Sequence, residues 1–147
     1  MTVKEFLKEL EHIKKTCGFD RFDFYARRVE DPENFTRVFM GKYDPDKLYQ
    51  DQPEGSIESK SRSVVEIYSN PYEDWFEEGL YDTIEKIKEA FARANVRDSA
   101  KIELIINRSS KWKPRGYEYG GWFNIVKVAP TISKQKNVVV LRVDKIK

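Results

Sequence analysis

Cysteine and histidine are nearly absent: Cys17 and His12 are the only ones in 147 residues. A single cysteine excludes an internal disulfide and any multi-cysteine metal centre. A single histidine excludes paired-histidine metal ligation and leaves one candidate for imidazole catalysis. Glycine-rich phosphate loops are lacking too. Neither Gly-x-Gly-x-x-Gly nor a Walker Lys-Ser/Thr motif occurs, and Gly116 and Gly120-Gly121 are spaced differently and do not lead into a helix. The longest apolar run of the C-terminal strand region is Val138-Val-Val-Leu141, and nothing approaches the ~18 apolar residues a membrane helix needs. The start, Met-Thr-Val-Lys-Glu-Phe, has no apolar signal core and carries an acid early. The expectation is a cytoplasmic protein with no membrane partner, and no cofactor is called for.

What is present is charge and aromatic side chains. Apolar residues make up 39% of the chain and charged ones 35%, with 9 Phe, 8 Tyr and 3 Trp to fill an interior. The length fits one domain over 1–147, large enough to bury roughly 70% of its unfolded surface. The net charge of +2 hides a segregation. Residues 1–60 hold 11 Lys and Arg against 13 Asp and Glu, residues 61–99 hold 5 against 9, and residues 100–147 hold 11 against 3. Either the basic end neutralises acidic helices within the folded chain, or it forms a face that meets an acidic partner.

Along the chain, Thr2 and Glu5 form a capping box, and Val3, Phe6, Leu7, Leu10, Ile13 and Cys17 make one helical stripe that ends at Gly18. His12 points away from that stripe, whereas Cys17 lies on it and reads as an inert core thiol. Phe22 to Ala26 and Phe35 to Tyr43 alternate with period two and predict an antiparallel hairpin. From Asp44 to Arg62 the pattern vanishes, which predicts a mobile loop over 44–62. A strand resumes at Ser63–Ser69. Asn70-Pro-Tyr-Glu73 has the cap, first-turn proline and acid of a second helix start, with the main helix running from about Leu80 to Asn95 because Gly79 interrupts it. Strands follow at Lys101–Asn107, Trp122–Val128 and Asn137–Val143; Gly120-Gly121 is a hairpin turn or a bulge, and at least one of Trp122 and Phe123 belongs to the core. The predicted fold is α+β: element order αβββαβββ, with two helices packed on one face of a mostly antiparallel sheet of about five or six strands. The first five elements share the order of double-stranded-RNA-binding domains. The acid-rich Tyr72-Glu-Asp-Trp-Phe-Glu-Glu78 stands where those domains place lysines on phosphate, which excludes that assignment.

Arg108 to Phe123 is the most unusual stretch, with cations alternating with aromatics and Glu118 as its only acid. Arg108, Lys111, Lys113 and Arg115 suit phosphates, and Trp112 and Tyr117 suit stacking on unpaired bases, with Lys127, Lys134, Lys136 and Arg142 extending the patch. The foremost expectation is therefore a small non-enzymatic binding module for DNA or RNA. The alternative is a protein–protein interaction module such as an inhibitor, immunity factor or adaptor, contacting its partner through Tyr49, Glu73, Asp74 and Trp75; opposite charged faces also permit a homodimer. A remote alternative is a magnesium-dependent nuclease built on Glu58-Ser-Lys60 with Asp23, Glu66, Glu103 and Glu118, although Glu58 is expected in the loop and no residue stands out as catalytic.

Overall fold

A computed structural model describes residues 1–33, 35–44, 46, 54–69, 76, 79–106, 121–130 and 137–146. The Thr2 hydroxyl accepts from the Glu5 amide at 3.2 Å while Glu5 accepts from the Thr2 amide at 3.1 Å, and this box starts α1, Val3–Cys17. The helix ends on Gly18 at φ +78°, a left-handed position that costs glycine nothing. The hairpin follows as β1, Asp23–Arg28, and β2, Phe35–Val38, paired antiparallel. Next come β3, Ile57–Ser61, and β4, Val64–Ser69, then α2, Ile84–Arg93, and β5, Lys101–Ile106. The chain closes with β6, Gly121–Pro130, and β7, Val138–Lys145.

The order is thus αββββαβββ, and the seven strands form one mixed sheet arranged β2-β1-β7-β6-β5-β4-β3. This corrects the expectation in three ways. The extra strand, β3, lies inside the stretch predicted as loop 44–62; as an edge strand it buries only Ile57, so its sequence carries no apolar alternation. Two of the pairings, β4 with β5 and β1 with β7, are parallel. The first is a βαβ unit, since α2 carries the chain back so that β5 runs alongside β4 in the same direction. The second joins residues more than 110 positions apart, for which a local pattern has no signature. The helix α2 begins at Ile84 with Thr83 as cap, its hydroxyl accepting from the Lys86 amide at 3.2 Å, and not at Leu80. Gly79 at φ +109° and the Leu80–Gly41 bridge hold the preceding residues in non-helical backbone. The proposed Asn70-Pro71 start lies outside the described residues.

One contiguous core joins both helices to the sheet. Phe6 of α1, fully buried, stands 6.3 Å edge-on from Phe91 of α2 and 6.5 Å from Phe24 of β1, so both helices share one sheet face. Their outer sides are linked by Lys88–Glu11 at 2.7 Å and Lys14–Glu85 at 3.5 Å. The strand residues beneath them follow the register: Val38, Phe24 and Val139 lie in one row across β2, β1 and β7, and Ile67, Leu104 and Phe123 in another across β4, β5 and β6. Cys17 departs from expectation. It keeps the angle of the stripe, but the buried face of α1 ends at Ile13 and the thiol is exposed.

Candidate nucleic-acid interface on the open sheet face

Residues directly opposite each other on paired strands project to the same side, about 5 Å apart. The register therefore fixes what the sheet displays on the face away from the helices. Across β2, β1, β7 and β6 runs Phe35–Arg27–Arg142–Lys127. Across β3, β4, β5, β6 and β7 runs Glu58–Glu66–Glu103–Asn124–Asp144. A third row, Tyr68–Ile105–Trp122, crosses β4, β5 and β6. This face is thus bipolar: the cationic row toward the β2 edge is exposed at Lys127 and Arg142, whereas in the acidic row toward the β3 edge Glu66 is buried and Glu103 largely so.

The cationic half is shaped by a β-bulge. The β6–β7 register shifts between Ile125 and Lys127, so that Val126 and Lys127 are both exposed beside Arg142 while Ile125 and Val128 stay in the core. Arg27 rests 5.6 Å from the centre of the Phe35 ring, which is itself 6.0 Å from Tyr25, and the Arg27 Nε is buried without a hydrogen-bond partner among the described residues. Arg28 at the end of β1 is ion-paired with Glu30 and lies 5.9 Å from the Phe123 ring. Arg27, Arg28, Lys127 and Arg142, with Val29, Pro32 and Val126, line a groove of about 260 Å³. Arg37 stands apart from this group because Asp23 neutralises it at 3.2 Å. Two unit charges 5 Å apart repel by about 1 kcal/mol even in water, and no acid among the described residues pairs with Arg27, Arg142 or Lys127.

In the acidic half the carboxylates of Glu58, Glu66 and Glu103 are more deeply buried than Lys127 and Arg142. Burial, and after it the Glu66 charge, push Glu58 above the ordinary carboxylate range. Burial, followed by Glu66 and Glu58, pushes the Tyr68 phenol up to about 12, and its hydroxyl donates to Glu66 at 3.3 Å. Lys60 Nζ stands 3.6 Å from Glu103 Oε2, an ion pair inside the row. Glu58 and Lys60 therefore sit on a strand and not in a loop, held there by the β3–β4 pairing. Even so, no group of three or more His, Cys, Asp or Glu among the described residues is arranged to hold a metal ion.

All of the site residues singled out from sequence, Arg108, Lys111, Trp112, Lys113, Arg115 and Tyr117 for nucleic acid and Tyr49, Glu73, Asp74 and Trp75 for a protein partner, lie outside the described residues. Ile106 and Gly121, which bound the basic-aromatic stretch, are directly paired across β5 and β6, and β6 starts at Gly121 while the bulge falls at Val126. Of Trp122 and Phe123, Phe123 is fully buried and Trp122 is 54% exposed on the open face. Arg27 was missed, although its place between Tyr25 and Val29 on the polar side of β1 was a usable signal. With this geometry in hand, comparison with protein-family models, curated proteins and solved structures finds no match.

Proposed function

We propose that the protein is a non-enzymatic module that binds single-stranded nucleic acid on the open face of its sheet. The observation that carries this reading is the row Arg27–Arg142–Lys127, three cations in register on adjacent strands without acidic partners among the described residues, flanked by exposed Phe35. Cations concentrate phosphates, and exposed rings on a sheet provide stacking platforms for unpaired bases worth about 1–3 kcal/mol each. Trp122 supplies a second exposed ring at the start of β6, and the Arg108–Tyr117 stretch precedes it in sequence. That stretch adds four cations in this reading.

The test is a salt titration of binding to single- and double-stranded DNA and RNA. Single strands should bind with an affinity that falls steeply with salt, and replacing Lys111, Lys113 and Arg115 by Ala should flatten the slope. Absent or salt-insensitive binding would sink the reading. The acidic row Glu58–Glu66–Glu103 on the same face favours a second reading, a protein partner of complementary charge. A pull-down that survives loss of those lysines and fails on replacing Asp74 or Trp75 would select it. Magnesium-dependent cleavage abolished by Glu58→Ala would instead revive the nuclease alternative.

A further inference from the structure

We infer that the groove at Arg27, Arg142 and Lys127 is a pocket for a terminal phosphomonoester, so that the protein grips a single-stranded nucleic acid by a phosphorylated end. This rests on the nucleic-acid reading above and goes beyond it in saying which part of the strand is recognised. Three features of the face converge on an end. First, the cations are gathered at one point: the register brings Arg27, Arg142 and Lys127 side by side on three neighbouring strands, perpendicular to the strand direction, where a track for a running backbone would string them out. With Arg28 held by Glu30, three positive charges without an acidic partner among the described residues remain around one groove. A phosphodiester carries one negative charge, whereas a terminal phosphate carries about −1.5 to −2 at neutral pH and three strong acceptor oxygens. Second, Arg27 is pre-positioned. Its guanidinium is held against Phe35, and its Nε is buried with no hydrogen-bond partner among the described residues, a donor in want of an acceptor. Third, the way onward is closed. Beyond the groove, Asp144 follows two residues after Arg142 on the same face, and it ends the row that runs through Glu103, Glu66 and Glu58 to the far edge. Of these carboxylates Asp144 is exposed while Glu66 is buried, so a polyanion continuing past Arg142 meets Asp144 first and the negative potential of the row behind it. The apolar walls, Val29, Pro32 and Val126, leave room for the sugar of a terminal nucleotide in a hollow of about 260 Å³.

The experiment compares one internally labelled single-stranded RNA in four forms, with a 5′-phosphate, a 3′-phosphate, both, or hydroxyl ends, against wild type and the Arg27→Gln/Arg142→Gln variant. A phosphate at the recognised end should tighten wild-type binding by about tenfold, the 5′ and 3′ arms showing which end it is. The variant should bind all four forms alike, and inorganic phosphate should compete with the phosphate-ended form alone. The variant's melting temperature should be unchanged or higher, since repelling charges have been removed. Binding of all four forms with equal affinity to wild type overturns the end pocket and leaves the general nucleic-acid reading standing. Failure of every form to bind overturns both. A variant that keeps the phosphate preference overturns the assignment of Arg27 and Arg142.

Discussion

Glu58 shows how the open face sets the properties of a single side chain. Its folded-state pKa lies above the ordinary range because of burial and then Glu66, so the folded chain holds this proton more firmly than the unfolded one. Linkage then means that stability is lost as pH rises through the raised pKa, and the penalty is in force at neutral pH. Glu58→Gln is expected to raise stability at pH 7 in urea melts, the gain over wild type shrinking as pH falls into the carboxylate range; a gain independent of pH would refute the cause given. Inside the core the arithmetic is larger. Phe6 is fully buried between both helices and β1, so Phe6→Ala should cost about 3–5 kcal/mol by the same melts. Cys17, exposed beyond the last buried residue of α1, should react with a thiol reagent in the native state, and Cys17→Ser should shift stability by less than about 0.5 kcal/mol.

Among the elements, those with strong local chemistry were legible in the sequence. The helix α1 has its box at Thr2–Glu5 and its stop at Gly18 where the pattern placed them, and β1, β2, β4, β5, β6 and β7 overlap the expected strands. What escaped was set by partners distant in the chain. The strand β3 reads Ile-Glu-Ser-Lys-Ser because an edge strand with one buried residue needs no apolar alternation, and the parallel pairings follow from the α2 crossover and from β7 inserting between β1 and β6. The cation row was hidden for the same reason: Lys127 and Arg142 were visible as charges, but only the β1–β7 register sets Arg27 beside them. The start of α2 depends on a crossing of backbones at Gly41, where an added Cβ would meet the Gly79 carbonyl oxygen at 2.5 Å, while the Tyr81 amide donates to Met40 O at 2.9 Å and Ser56 to Gly41 O at 2.9 Å. Gly41→Ala should therefore cost about 1–3 kcal/mol by overpacking, whereas Gly18→Ala, in open space but at positive φ, should act through backbone strain alone.

For the molecule as a whole, the two halves of the open face make opposite demands on a polyanion, and their balance is measurable. Arg27, Arg142 and Lys127 form one row of cations, and Asp144, two residues beyond Arg142 on β7, begins the acidic row that passes through Glu103 and Glu66 to Glu58. If the cations each displace one counterion from a single strand, the log–log salt slope should fall by about 2 when all three are replaced by Gln, at about 0.7 per phosphate contact. The carboxylates predict the dependence on length. With the acidic row in place, added nucleotides beyond those covering the β2-to-β6 half meet repulsion from it, so affinity should plateau with oligonucleotide length. Glu66→Gln/Glu103→Gln removes charge where Glu103 also holds Lys60 at 3.6 Å, freeing that lysine for phosphate. In this variant affinity at low salt should rise and go on rising with length past the wild-type plateau, and the advantage of a phosphorylated end should shrink because the strand is no longer forced to stop at the groove. A plateau at the same length in both proteins would mean that the acidic row does not bound the site, and that the polarity of the face serves a partner of mixed charge instead.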